Sequence, residues 1–349
     1  MDTQKLNELE NRESRGRKDF ERLPLVSVVV PAYNEVENLP ELYRQLLGVF
    51  SSREAELELL IVDDASTDGT LEWARRTSST DNRVKFISFS RNFGHQTAVT
   101  AGLQHVAGDA VVVMDADLQD PPQVIPQMLT RWREGYQIVM GTRAERDVDP
   151  LSKRLFAWVY YRILARLSEV KIPVDSGDFC LMDRTIVKTL NSLPERNRYV
   201  RGLRAWVGFR SIDQPFTRQE RFRGRPKYSF FKSLGLAING LVSFSHAPLR
   251  LATYVGLATG FLALLMVCLV FYWRFFTNAP LVGFTLIIAA FLFISSVQLL
   301  TIGIMGEYIG RVYDEVKNRP HYVLKESSYD NSTEAKSISA TMLGPQITL

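Results

Sequence analysis

Two apolar runs near the C-terminal end, residues 251–273 and 281–306, contain no Asp, Glu, Lys or Arg. At about 1.5 Å of rise per residue, each is long enough as a helix to cross about 30 Å of hydrocarbon. The stretch between them, 274–280, is too short to hold a folded domain, so the expected arrangement is a transmembrane helix hairpin over 249–308. Buried helices of a soluble core are the competing account, but such helices are usually shorter and rarely come as an adjacent pair. Arg221, Arg223, Arg225, Lys227, Lys232 and Arg250 precede the hairpin and Arg311, Lys317 and Arg319 follow it, whereas the connection has only Arg274. That asymmetry puts both flanks on the cytoplasmic side and predicts a multi-pass protein of the inner (plasma) membrane.

Before the hairpin the pattern changes. Short β-rich runs at 25–30, 57–62, 84–89, 110–114 and 137–140 alternate with helical stretches, which predicts an α/β domain over 23–228 built on a doubly wound, mostly parallel sheet. The first helix has Asn38 placed to cap it, Pro40 in its first turn and Leu42, Leu46 and Leu47 on one face. Ligands of such folds gather at the C-terminal ends of strands. The polar clusters 31–35, 63–69 and 115–120 fall there.

Residues 1–22 mix many charges with few large apolar groups and read as a flexible arm without the apolar core of a signal peptide. Residues 153–168 and 229–248 have the spacing of basic amphipathic helices. The second is expected at the membrane interface, and packing on the sheet is the alternative for both. The cytoplasmic tail, 309–349, is expected to be partly disordered, beyond Lys325 in particular. A formal charge of +4 with its basic residues gathered around the hairpin favours a membrane over nucleic acid as partner. Two cysteines, Cys180 and Cys268, provide neither a disulfide framework nor a thiolate zinc site.

At the end of the fourth strand, Asp115 and Asp117 lie two residues apart, followed by Gln119. Close carboxylates repel and call for a cation. Oxygen donors in this number suit Mg²⁺ or Mn²⁺, which keep several waters and are completed by substrate phosphates, so a diphosphate is the natural partner. A polar turn in which the aspartates cap the next helix is the alternative.

The strings VSVVVPAYNE (26–35), VDDASTDGT (62–70) and DADLQDPP (115–122) resemble glycosyltransferase family 2, the inverting enzymes of the GT-A fold. SRNFG (90–94), DSGDFCLMDR (175–184), SFSHAPLR (243–250) and GEYIGR (306–311), with the terminal hairpin, are similar to its polyprenyl-phosphate branch, the GtrB-like and dolichol-phosphate mannose synthase-like enzymes.

The resemblance implies a nucleoside pocket lined by Pro31, Tyr33 and Glu35, with Asp64 accepting from the base and Asp63 supporting its loop. It implies Asp115, Asp117 and Gln119 as holders of the metal, Asp115 also meeting the nucleotide. Arg143, Lys153, Arg154, Arg221 and Lys227 are implied at the acceptor phosphate and the diphosphate, although Pro226 stands where a serine is usual beside that lysine. Catalysis falls to Asp117, through the metal, and to Asp178 near the acceptor.

A phosphate monoester with a second pKa near ~6 is already substantially dianionic at neutral pH. Asp178 is therefore assigned to positioning, with proton abstraction and a turn-stabilising role as alternatives.

The implied reaction transfers a hexose, with UDP-glucose as the preferred donor, to undecaprenyl phosphate on the cytoplasmic leaflet. A processive polysaccharide synthase and a non-catalytic scaffold or lipid-sugar transporter component are the rival readings. The resemblance also implies a homo-oligomer, a tetramer among the candidates.

Overall fold

A computed structural model describes residues 23–52, 54–143, 176–195, 198–217, 247–276 and 283–329. The expected N-terminal arm, the two amphipathic helices and the end of the tail lie outside these residues.

The chain runs β1 (Leu25–Ala32), α1 (Leu39–Phe50), β2 (Glu56–Asp63), α2 (Thr70–Thr80), β3 (Val84–Phe89), α3 (His95–His105) and β4 (Ala110–Val113). A single 3₁₀ turn then leads into α4 (Ile125–Arg133), β5 (Ile138–Arg143), β6 (Ser176–Asp183), α5 (Arg184–Ser192), α6 (Val200–Trp206) and β7 (Ser211–Phe216). Two long helices, α7 (Ala247–Phe276) and α8 (Phe284–Val316), precede a last strand, β8 (Leu324–Ser327).

Among the described residues, eight strands form one sheet in the order β7-β5-β6-β4-β1-β2-β3-β8. The expected parallel core is there: β1 pairs in parallel with β2 and β4, and β2 with β3. Strands read as continuous apolar runs because both faces of the sheet are covered. Alternate residues of β1 serve the two layers. Val26, Val28 and Val30 join Leu39, Leu42 and Leu46 of α1 and Ile125 and Met128 of α4, whereas Val29 joins Ala98, Val99 and Leu103 of α3 and Ile186 and Leu190 of α5. Helix α3 lies so close to β1 that a Cβ on Gly102 would stand 2.2 Å from Val29 Cγ1.

Pro31 sits in a central strand without a backbone N–H, yet no ladder bond is lost. The Ala32 carbonyl accepts the Asp64 N–H on the β2 side (2.9 Å), and the Val29 carbonyl accepts from Met114 on the β4 side (3.1 Å). By alternation Pro31 faces the β4 side, beyond the last β1–β4 register pair, Val29 with Val113.

Several expectations need correction. Asn38 makes no side-chain cap; it is buried and donates from Nδ2 to Glu35 Oε2 (2.6 Å). The mostly parallel sheet expected is present with a mixed far half, in which β5 pairs antiparallel with β6 and parallel with β7, and β6 antiparallel with β4. Helix α8 runs on to Val316.

Of the tail read as disordered beyond Lys325, Glu326 and Ser327 instead join the sheet as part of β8, antiparallel to β3. Arg75 holds Glu326 through Nε–Oε1 and Nη2–Oε2 contacts of 2.8 Å each, and Tyr322 stacks on Phe89 at 5.0 Å between centroids.

Helices α7 and α8 pack on one another and turn large apolar side chains outward, among them Leu257, Phe261, Phe275, Phe291 and Leu299. Among the described residues one segment, Phe293–Val316, is long and apolar enough to cross a membrane, and Ala252–Leu262 is a shorter apolar helix.

Candidate active site

The loops after β1, β2 and β4 share an unusual backbone. Asn34 (φ 55°), Ala65 (φ 59°) and Leu118 (φ 63°) each adopt the left-handed conformation, which costs a non-glycine residue about 1–2 kcal/mol. Strain of this kind persists only where surrounding contacts over-determine it, and it clusters at functional sites.

The contacts are present. Asn34 donates its N–H to Ser66 Oγ (2.9 Å) and accepts the Thr67 N–H on Oδ1 (2.8 Å), lacing the β1 loop to the β2 loop. Glu35 donates its N–H to Thr70 Oγ1 (2.9 Å). Tyr33, beside them, is 39% exposed.

Asp63 is fully buried and accepts from Ser88 Oγ (2.7 Å) and the Ser66 N–H (3.1 Å), which makes it a strut for its loop. Asp64 is equally committed. Its two oxygens accept the N–H groups of Phe93 (2.7 Å) and Gly94 (2.9 Å), tying β2 to the start of α3. Burial pushes the Asp64 pKa up, and these two hydrogen bonds oppose the shift.

On the β4 loop, Asp117 is buried and accepts the Gln119 N–H on Oδ1 (3.1 Å). Asp115 has its side chain 45% exposed, and its Oδ1 lies 3.8 Å from His95 Nε2. Its pKa is raised, by desolvation first and also by the carboxylates of Asp178 and Asp117, with His95 opposing. The remaining exposure moderates the first of these effects.

Two carboxylates and a neighbouring amide are a fitting donor set for a hard divalent ion that keeps waters and phosphate oxygens in its shell. Among the described residues, no three His, Cys, Asp or Glu side chains are grouped as a metal cage.

Asp178, on β6, is buried beside the same histidine. Arg201 from α6 grips it with Nε–Oδ1 and Nη2–Oδ2 distances of 2.7 Å each, and His95 Nε2 lies 3.0 Å from Oδ2. Burial alone would raise the Asp178 pKa, but the hydrogen bonds and charges of Arg201 and His95 hold it well below the carboxylate range. The buried Arg204 donates to the Gly177 carbonyl (2.9 Å) and fixes the backbone beside it.

The structure thus gathers Asp115 and Asp178 around His95, with Asp117 on the Asp115 loop and Asp64 bonded to the residues just before His95. Arg143 ends β5, but its side chain, together with Lys153, Arg154, Arg221 and Lys227, lies outside the described residues. The sequence reading did not single out His95 or Arg201. The one signal for His95 was its place directly after SRNFG; Arg201 had none, being joined to its carboxylate only by folding.

Residues 27–190 match the family described as Glycosyl transferase family 2, and 247–312 match the GtrB C-terminal hairpin. The chain is 43% identical over 301 residues to the "Uncharacterized glycosyltransferase YkcC" of Bacillus subtilis, covering 86% of this chain and 93% of that one. It is 38% identical over 306 residues to the SfII prophage-derived bactoprenol glucosyl transferase of Shigella flexneri, covering 88% and 99%. Among solved structures, mannosyl-3-phosphoglycerate synthase of Rubrobacter xylanophilus aligns with a TM-score of 0.44 and 19% identity over 63% of this chain and 72% of that one. Apolar helices and a matching hairpin associate the protein with a membrane. The chain belongs to glycosyltransferase family 2: it is a glycosyltransferase with a GT-A-like catalytic domain and a GtrB-type C-terminal hairpin.

Proposed function

We propose that the protein transfers a hexose, glucose as the first choice, from a nucleotide sugar to a polyprenyl phosphate, with undecaprenyl phosphate as the bacterial acceptor. One observation carries this reading: an acidic Asp115/Asp117 loop occurs on a chain related over 88% of its length to a bactoprenol glucosyl transferase. In the proposed reaction an oxygen of the acceptor phosphate forms a bond to the anomeric carbon, the bond from that carbon to the diphosphate breaks, and a nucleoside diphosphate leaves with inversion.

Each group has a part. Pro31, Tyr33, Glu35 and Asp64 shape the nucleoside pocket, and Tyr33 provides an exposed ring for the base. Asp115 and Asp117, with Gln119 beside them, hold Mg²⁺ or Mn²⁺, which when bound stabilises charge developing on the departing diphosphate. Arg143, Lys153, Arg154, Arg221 and Lys227 meet the acceptor and donor phosphates.

Asp178 organises the acceptor side. Its engagement by Arg201 and His95 makes it a weak base, and the acceptor phosphate brings its own negative charge.

The hairpin holds this machinery at the cytoplasmic leaflet of the inner membrane, crossing it twice, in a homo-oligomer for which a tetramer is the first assembly to test. The purified full chain, incubated with undecaprenyl phosphate and a panel of UDP- and GDP-sugars with Mg²⁺ or Mn²⁺, should give a mono-glycosylated lipid by mass spectrometry, and chelation should abolish it. A polymer ladder would instead indicate a processive synthase. No lipid product with any donor would refute transfer to this acceptor.

A further inference from the structure

His95 occupies a position that the reaction as described does not use. Its Nε2 lies at hydrogen-bond distance, 3.0 Å, from Asp178 Oδ2 and at a longer electrostatic contact, 3.8 Å, from Asp115 Oδ1, so one imidazole edge stands beside both the acceptor-side and the metal-side carboxylate. An Asp178 carboxylate already gripped by the Arg201 fork is an acceptor only, so the hydrogen between it and the imidazole belongs to Nε2.

Asp178 takes a 2.7 Å bond from Arg201 on each oxygen and the His95 contact on Oδ2 besides. The same imidazole faces Asp115. Its loop passes through the left-handed Leu118, and its carboxylate, together with Asp178 and Asp117, crowds like charges together.

Both ends of this brace are anchored. Helix α3, which starts at His95, is pressed on β1 at Gly102 and held at its first turn by Asp64 through the Phe93 and Gly94 N–H groups. Strand β6 is held behind Asp178 by Arg204 on the Gly177 carbonyl.

We propose that His95 is a positioning residue that fixes the Asp115 carboxylate relative to Asp178, and so sets the gap in which the anomeric carbon is passed from the diphosphate to the acceptor. The proposal rests on the reading of Asp115 and Asp117 as metal ligands. Groups that orient metal ligands typically change metal affinity or activity by about 10- to 100-fold when removed.

The amide nitrogen of glutamine reaches about as far as Nε2, whereas that of asparagine reaches only as far as Nδ1. His95→Gln should therefore keep Mn²⁺ affinity and kcat within about threefold of the parent, and His95→Asn should lose about 10- to 100-fold in both. Mn²⁺ binding is read directly, by electron paramagnetic resonance titration of the full chain in detergent with UDP present and no acceptor, and kcat by lipid-product formation. A thermal melt within 2 °C of the parent for both variants confirms that they fold alike.

Equal Mn²⁺ affinity in the Asn, Gln and parent proteins, or equal loss in Gln and Asn, overturns the proposal. Asp117→Asn run in parallel separates the two readings. If it too leaves Mn²⁺ binding unchanged, the metal site itself is misassigned; if it abolishes binding while His95→Asn does not, only the role of His95 fails.

Discussion

Replacing Arg201 by methionine would remove the fork from a carboxylate that cannot turn to water instead. The Asp178 side chain is 8% exposed and that of Arg201 31%. Truncating one partner of a buried ion pair costs about 3–5 kcal/mol, because the remaining charge is left desolvated. Two features reduce this figure: the guanidinium is partly hydrated, and His95 remains at 3.0 Å to share the charge. A loss of about 2–3 kcal/mol is the outcome of that reasoning.

For a domain of this size each kcal/mol moves the melting temperature by about 2–4 °C, so Arg201→Met should melt about 4–12 °C below the parent. The assay is a melt of the detergent-solubilised full chain followed by tryptophan fluorescence. Adding Asp178→Asn should recover part of the loss, since it removes the orphaned charge, and the double-mutant cycle should return a coupling of about 1–3 kcal/mol.

The pair also has a pH signature. With the Asp178 pKa depressed in the folded protein, its stabilisation is fully present above the unfolded carboxylate value near ~3.9 and is lost as pH falls from there towards the folded value. The difference in stability between parent and Arg201→Met should therefore be constant from about pH 5 to 8 and narrow below about pH 4. A melting shift under 1 °C, or a shift equal at pH 3 and pH 7, would refute the argument.

Asp178→Asn should lower turnover by a factor that stays constant from about pH 7 to pH 9, above the second pKa of the acceptor phosphate near ~6; recovery proportional to hydroxide would make Asp178 the base. In a chain with Cys268 replaced by alanine, cysteines introduced at the exposed Asn82 and at Thr277 should react with an impermeant thiol reagent from opposite faces of sealed vesicles, and same-face labelling would exclude a spanning hairpin. Tyr322→Ala removes the ring stacked on Phe89 and the hydrogen bond to Gln104 Oε1 (2.8 Å). It should cost about 2–3 kcal/mol and, by freeing the β8 backbone, speed tryptic cleavage after the exposed Lys325 under native conditions, and an unchanged digestion rate would mean that β8 is not held by this contact.

Features governed by local periodicity were legible in the sequence. The apolar runs foretold α7 and α8, alternation with helical stretches foretold the parallel core, and the two-residue spacing of Asp115 and Asp117 marked the acidic loop after β4. Features that exist only across the fold were not. His95 and Asp178 stand 83 residues apart and Arg201 and Asp178 stand 23 apart, and no property of an isolated arginine reveals which carboxylate it will meet. Strand β8 was hidden for a different reason. Leu-Lys-Glu-Ser lacks apolar alternation, and it becomes a strand because β3 offers an edge and Arg75 and Phe89 offer partners for Glu326 and Tyr322.

The least legible feature is the backbone of the site loops. Asparagine is a common occupant of the left-handed region, so Asn34 could have been read as a turn; Ala65 and Leu118 gave no such warning. Leu118 shows why the unfavourable conformation is tolerated. Its side chain is 3% exposed within the same apolar cluster as Met114 and Val124, and burying a leucine contributes about 1.5–3 kcal/mol, enough to offset the left-handed cost of about 1–2 kcal/mol. The leucine thus pins the middle of the loop to the core while Asp117 closes on the Gln119 N–H. Asp115, at the strand end, remains partly exposed. A glycine at position 118 would meet the backbone requirement without the anchor. The choice of leucine therefore trades local comfort for a fixed acidic loop, as a site built to hold two like charges close together requires.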